Sequence, residues 1–425
     1  MTALATEIRA PAATNRRMLA AGALIAFGLV DILIFGLFSH KGSAAFSLSL
    51  SGASVTVPTV HVPGWVVYIL GAISILIGIA RATVMTSPGP RRLGIAAVLI
   101  FFVFSLLIWS DTGSWTHGIP VNVVTLLQAT LAGSIPLILG ALAGCMGERA
   151  GVINIAIEGQ LLIGAFTAAI VASTVGVLWL GLIGGSLAGG LVGLVLAAFA
   201  IRYFVDQIIL GVVLNLLISG ITGYLYDRLM VPNAQTYNSA STFSVVKIPG
   251  LADIPIIGPI FFDSTIFLYI TYAAIILVQV GLFSTRWGLR VRAVGEHPTA
   301  ADTVGINVLG IRYRNLVLGG LLAGIGGAYL TIGSVGTFSK DMSSGLGYIA
   351  LAAMIFGRWT PLGATAAALL FGFTTALGNF LGTITVPISP ALLGMAPYVA
   401  TIIAVAGLVG RVRAPAADGK PYVRA

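Results

Sequence analysis

Residues 178–200 read LWLGLIGGSLAGGLVGLVLAAFA, with no charged side chain among them. At ~1.5 Å per residue such a helix is longer than ~30 Å, the thickness of a bilayer's hydrocarbon core. Gly181, Gly185, Gly189 and Gly193 recur at every fourth position. That spacing puts them on one helix face, a stripe of small residues along which another helix can approach closely. The stretch predicts a spanning helix packed tightly among others. Gly320 and Gly324 repeat the device further along the chain.

The rest of the chain has the same character. A length of 425 residues would suit two or three soluble domains at ~150 residues each. Yet 58% of the residues are hydrophobic and only 8% charged, with a mean hydropathy of +1.04. Soluble domains carry roughly 25% charged residues, so neither a soluble surface nor a disordered chain can be built from this composition. Apolar runs predict spans near 18–38, 64–84, 93–112, 121–144, 153–173, 178–200, 207–226, 262–284, 315–333, 346–357, 363–383 and 392–410. The expected fold is an all-α polytopic membrane protein of about twelve transmembrane helices. The run at 346–357 is too short for a full crossing and predicts a broken or re-entrant helix.

The basic residues orient these spans. With the N-terminus in the cytoplasm, only Lys41, Arg228, Lys247 and Lys340 of the 22 Lys and Arg residues fall outside. Such asymmetry is what the positive-inside rule produces, and an even number of spans places both termini in the cytoplasm. The net charge of +9 therefore reports topology and implies no nucleic-acid partner. The first run is too long for a cleavable signal peptide, and no A-x-A-like site follows it. Between the first two spans, alternation over 46–62 predicts a small extracytoplasmic β-hairpin. A proline-bearing outer loop at 232–259 is expected to be a short lid or amphipathic segment, with a plain linker as the alternative.

Chemistry-bearing residues are sparse. Cys145 is the single cysteine, and the four histidines (His40, His61, His117, His297) are scattered, so no disulfide framework or metal site is expected. No G-x-x-x-x-G-K-[ST] occurs, and the one Gly-Lys pair, Gly419-Lys420, lies in the tail. The chain cannot cradle ATP by the P-loop route, and no nucleophile or zinc-protease pattern has a suitable setting. The expectation is a non-enzyme that binds no cofactor. Gly345-x-Gly347-x-x-Ala350 looks superficially like a dinucleotide fingerprint, but it follows no soluble strand.

The connection 284–314, STRWGLRVRAVGEHPTAADTVGINVLGIRYR, is long and ordered. Pro298 suits the first turn of a helix, where its missing N–H costs nothing. Residues 299–304 continue that helix, and Gly305 suits its C-cap. A short helix held off the membrane between two spans makes a lever for a partner below.

Gly295, Glu296, Pro298, Ala300, Ala301, Gly305 and Asn307 together resemble the cytoplasmic coupling loop of ABC-importer permease subunits of the ribose, nucleoside and branched-chain amino acid type. A second stretch, GERAGVINIAIEGQ at 147–160, is similar to the ERxGxxNIxxEG signature of that family's nucleoside and simple-sugar branch. A third, GLGYIALA at 345–352 leading into IFGRW at 355–359, agrees. The resemblance implies a permease core over 121–413, a coupling loop at 284–314 and a cytoplasmic tail at 414–425. It leaves 1–120 as an N-terminal extension with about three extra spans. It further implies partners: cytoplasmic ABC ATPase subunits, a second permease subunit (identical or sister), and an extracytoplasmic substrate-binding protein or lipoprotein. Nucleosides are the first expectation for the solute and simple sugars the second. An ion-coupled secondary transporter is the reading from another class, with Asp31 and Glu158 as its intramembrane carboxylates.

Within the second stretch, Glu158 is an ionisable group at membrane depth, so it should face protein or water. Asn154 lies four residues before it, on the same face if the segment is helical, and Gly151 and Gly159 bracket a possible helix break. Two readings stay open at this point. Asn154, Glu158, Asn215 and Asn379 line a translocation path, or Glu148, Arg149 and Glu158 form an interfacial ion-pair network. Asp31, in the first span, is expected to be paired or water-facing in a structural role, and Arg202 with Asp206 to form an interfacial pair.

Overall fold

The computed structural model describes residues 13–38, 42–50, 57–85, 87–113, 120–384 and 413–423, with a few isolated positions between 386 and 395. The run at 392–410 expected to form a last span lies outside the described residues. Ten described helices are long and apolar enough to cross a membrane. The chain falls into two compact units, Met1–Val124 with Asn379–Leu393, and Thr125–Gly378 with Gly394–Ala425.

In the first unit, α1 (Ala13–Val30), extended by a wider π-type turn Asp31–Gly36, packs antiparallel on α2 (Val66–Thr83), and α3 (Pro88–Thr112) completes a three-helix layer. The α1–α2 approach depends on glycine. A Cβ on Gly28 would lie 2.6 Å from the Gly71 carbonyl oxygen, and one on Gly78 would press on Ile25. Phe27 and Phe35 from α1 meet Phe102 from α3 edge-on or tilted. Asp31 is fully buried, with Ser105 beside it, which excludes the water-facing alternative. Where a hairpin is expected, β1 (Ser43–Ser47) pairs antiparallel with β2 (Val60–Pro63). A third strand, β3 (Val121–Asn122), adds in parallel to β1 and makes a small sheet.

The second unit is built around α4 (Val123–Arg149), α5 (Ile157–Val175) and, later in the chain, α13 (Val308–Leu330). Between them in sequence lie α6 (Leu178–Ala197), α7 (Gln207–Leu225), α8 (Ala234–Tyr237), α9 (Ile257–Phe261), α10 (Ile266–Ser284), α11 (Arg286–Glu296) and α12 (Pro298–Thr303). The glycine stripe of α6 runs along two of these partners. Cβ atoms on Gly181 and Gly185 would meet the Ala168 and Gly164 carbonyl oxygens of α5, at 2.8 and 2.7 Å. One on Gly189 would strike the Gly320 carbonyl of α13, and one on Gly193 the Leu316 carbonyl. Backbones this close gain dispersion contacts that lipid tails cannot match.

Two local expectations need correction. Asp206 does not pair with Arg202; its Oδ1 accepts from the N–H groups of Ile208 and Ile209 at 2.9 and 3.0 Å, capping α7 because a carboxylate satisfies otherwise orphan helix donors. The stretch 232–259 is not a plain linker. It carries α8 and the strand β4 (Val245–Lys247), which pairs with β5 (Asp263–Thr265) just past α9.

After α13 the helix widens over Thr331–Val335, turns at Gly336, and resumes only at α14 (Leu346–Phe356) before α15 (Pro361–Thr383). With 11 residues, α14 is ~16 Å long, about half a bilayer core. It is a half-helix, buried in protein on the face that carries Gly347, Ala350, Ala353 and Met354.

Candidate functional site

A half-helix that ends inside a membrane protein leaves N–H and C=O groups that lipid cannot satisfy, so each end needs polar partners. The stretch 147–160 supplies both. At the start of α14, the Glu158 carboxylate accepts from Ser343 Oγ at 2.6 Å, from Gly345 N–H at 2.8 Å and from Gly347 N–H at 2.6 Å. A carboxylate at a helix N-terminus is favoured by both the free N–H groups and the helix dipole. At the far end, Arg149 donates from Nε to the Trp359 carbonyl at 2.8 Å and from Nη2 to the Arg358 carbonyl at 3.2 Å. Trp359 Nε1 in turn donates to the buried carboxylate of Glu148. Arg358 and Trp359 both hold positive φ, 57° and 54°, as do Asp341 and Ser344 at the other end. These are strained conformations for residues with a side chain and persist only where surrounding bonds hold them. The ion-pair network of Glu148, Arg149 and Glu158 does not form, because Glu158 serves the start of α14 while Glu148 and Arg149 bond separate groups of Trp359 and Arg358 past its other end.

The break between α4 and α5 also differs from expectation. Residues 150–156 are not helical and α5 begins at Ile157, so Asn154 and Glu158 do not share a helix face. The chain turns at Gly151, whose φ is +84°. Asn154 is fully buried, and its amide pairs with that of Gln160 at 3.1 Å. Asn215 reaches across from α7. Its Oδ1 accepts from Gly159 N–H at 2.8 Å, and its Nδ2 donates to the Ile155 carbonyl at 3.0 Å and to Tyr348 Oη at 3.2 Å. Ile153 N–H donates to Gln207 Oε1 at 2.7 Å. Asn215 and Gln207 therefore satisfy the polar backbone at this break, while Asn154 is taken up by Gln160. Glu158 and Tyr348 keep partial exposure on this patch. Asn379 is exposed and falls in the first unit, apart from this cluster in the chain's division.

The connection 284–314 is more ordered than its sequence suggests. A helix not anticipated there, α11, is capped by Thr285 Oγ1 on Gly288 N–H at 3.1 Å. The next, α12, starts at Pro298, and its Ala300 N–H donates to His297 Nδ1 at 3.2 Å. Gly305, at φ +81°, ends it, with Ile306 N–H bonding the Ala301 carbonyl at 3.0 Å. Asn307 then caps α13 by accepting from Gly310 N–H at 2.9 Å. Ala301 points inward with Val294 and Val308, whereas Glu296, His297, Thr299, Ala300, Thr303, Gly305 and Asn307 stay exposed and Val304 is 74% exposed. Gly295 lies against the stretch 147–160: a Cβ there would collide with the Arg149 carbonyl.

The tail closes over this joint, which the sequence reading did not foresee. Ala417 N–H donates to the Gly295 carbonyl at 2.9 Å, Ala416 N–H to Glu296 Oε2 at 3.2 Å, and Tyr422 Oη to Asp302 Oδ2 at 2.8 Å. Arg312 Nη1 donates to the Lys420 carbonyl at 3.0 Å. Asp418 is drawn in beside Glu148 and opposite Arg312, and burial pushes its carboxyl up to about 6 although its bonds to Glu148 and Gly419 N–H and the Arg312 charge pull it down. Two carboxyls can share a hydrogen bond only while one holds a proton. A carboxyl raised in the docked state binds its proton more tightly there. Docking is therefore strongest below the free value of 3.8 and weakens as pH rises through 6. Protease nicking of the tail should show it docked more tightly at pH 5 than at pH 7.5. The difference should be about 1.4 kcal/mol, because only the interval between pH 5 and the docked value of about 6 contributes, at ~1.4 kcal/mol per pKa unit. Asp418→Asn, whose amide does not titrate and can still accept from Glu148 through its oxygen, should weaken that dependence.

The spans, the half-helix clamped from both ends and the jointed loop between two spans define a multi-pass membrane protein of the transport class. The chain belongs to the family described as branched-chain amino acid transport system / permease component, whose model matches residues 126–408. It is 42% identical over 311 residues to a guanosine ABC transporter permease protein of Bacillus subtilis, covering 70% of this chain and 96% of the relative. It is 40% identical to a nucleoside ABC transporter permease protein of Lactococcus lactis, covering 72% and 99%. A putative glucose ABC transporter permease protein of Haloferax volcanii is 35% identical, covering 59% and 76%. No solved structure matches.

Proposed function

We propose that this chain is the membrane-spanning subunit of an ATP-driven importer of nucleosides. The observation that carries the substrate class is the similarity to guanosine and nucleoside permeases over nearly their whole length. A simple sugar is the second reading, favoured by the glucose-permease relative. ATP hydrolysis belongs to separate ATPase subunits docked on the exposed face of α11 and α12. A second permease subunit and an outer binding protein complete the assembly, with both termini in the cytoplasm as the arginine distribution supports.

The bonding pattern suggests how force travels. A push on α12 reaches α11, and Gly295 passes it to Arg149. Arg149 holds one end of α14, and α14 carries Tyr348 and ends on Glu158 at the other. The solute path then opens or closes around Glu158 and Tyr348. Uptake of labelled guanosine should be competed by nucleosides and left unaffected by pentoses and branched-chain amino acids. The ATPase should co-purify in detergent and be lost when 296–305 is replaced. Import by the purified chain in liposomes without any nucleotide-hydrolysing subunit would refute the proposal.

A further inference from the structure

Three arginines from three helices meet at one end of the first unit. Arg17 lies early in α1, Arg81 in the last turn of the antiparallel α2, and Arg91 in the first turn of α3. Arg17 Nε donates to the Arg81 carbonyl and Arg91 Nε to the Met85 carbonyl, both at 2.9 Å. These bonds hold the side chains together although Arg81 feels the like charges of both Arg17 and Arg91. Arg17 Nη2 and Arg81 Nε and Nη1 are buried and have no hydrogen-bond partner.

Nothing in the described part of this unit neutralises them. Its carboxylates are Asp31, about 21 Å further along α1 at ~1.5 Å per residue, and Asp111, at the other end of α3, where it accepts from Ala45 N–H. Converging guanidinium groups with spare N–H donors suit a multidentate oxyanion, phosphate above all. The surroundings indicate where that phosphate comes from. Large apolar side chains flank the cluster and stand exposed: Met18 56%, Leu19 70%, Val84 75% and Leu93 73%. Acyl chains would cover these residues while the headgroup sits among the arginines.

We propose that Arg17, Arg81 and Arg91 bind the phosphate of an anionic phospholipid headgroup, fastening the N-terminal three-helix unit to the leaflet that it faces. A zwitterionic lipid is the poorer ligand, because its own ammonium offsets the charge that the three arginines require.

The test uses the full-length protein in nanodiscs of mixed phosphatidylglycerol and phosphatidylcholine, with retained lipid read by native mass spectrometry and stability by thermal unfolding. The wild type should retain phosphatidylglycerol preferentially and unfold at a higher temperature in its presence. The preference should drop about fivefold for each arginine neutralised. Arg81→Gln with Arg91→Gln removes two charges and keeps both backbone acceptors. Should that pair not fold, Arg91→Gln alone reports the same trend, and Arg91→Lys should restore part of the preference. Equal retention of the two lipids, or a preference unmoved by these substitutions, overturns the proposal. So does stabilisation by inorganic phosphate in pure phosphatidylcholine with no phosphatidylglycerol preference, since the ligand would then be a soluble anion.

Discussion

Glu158→Ala is expected to abolish uptake and to lower the stability of the folded protein by ~3 kcal/mol. The carboxylate accepts three hydrogen bonds from the start of α14, and bonds to a charged group contribute ~1.5–3 kcal/mol each. Partial exposure of the site lets water replace some of that, which keeps the estimate below the simple sum. Without the cap, the Gly345 and Gly347 N–H groups lose their acceptor and the left-handed residues before them lose their restraint. Glu158→Gln should cost about half as much, because its amide retains one acceptor but brings two donors towards other donors. Thermal unfolding in detergent, read beside uptake in cells of matched protein level, separates capping from transport. Glu158→Gln with unchanged uptake and unchanged stability would remove Glu158 from both roles.

The second large effect is expected at the lever. In Gly295→Val the side chain would occupy the space of the Arg149 carbonyl, against which α11 rests. Overpacking of this kind costs ~1–3 kcal/mol when neighbours can shift. Here the neighbour is backbone carried by α4, and the Ala417–Gly295 hydrogen bond holds Gly295 itself in place. The cheaper relaxation is for α11 to lift off. The exposed face of α12 would survive, so the ATPase should still co-purify and hydrolyse ATP, but with import reduced at least tenfold. Import at the wild-type rate by Gly295→Val would show that force does not pass through this contact.

The membrane class, most of the spans and the short helix opened by Pro298 are legible in the chain alone, because each depends on neighbours in sequence. Hydropathy is a sum over consecutive residues, and a proline start with a glycine stop acts within two turns. The four-residue glycine period likewise marked a packing face before any partner was known. What the charged residues do is set by contacts between distant helices. Glu158 bonds to N–H groups 187 and 189 residues away, Glu148 to an indole 211 residues away, and Asp302 to a tyrosine 120 residues away. A polar group under a low-dielectric penalty takes whichever donor the fold brings within ~3 Å. That choice is set by how distant helices return to one another, which no local period records. The tail was illegible for the same reason: its eleven described residues carry no periodic signal, and their order comes from the surface on which they lie.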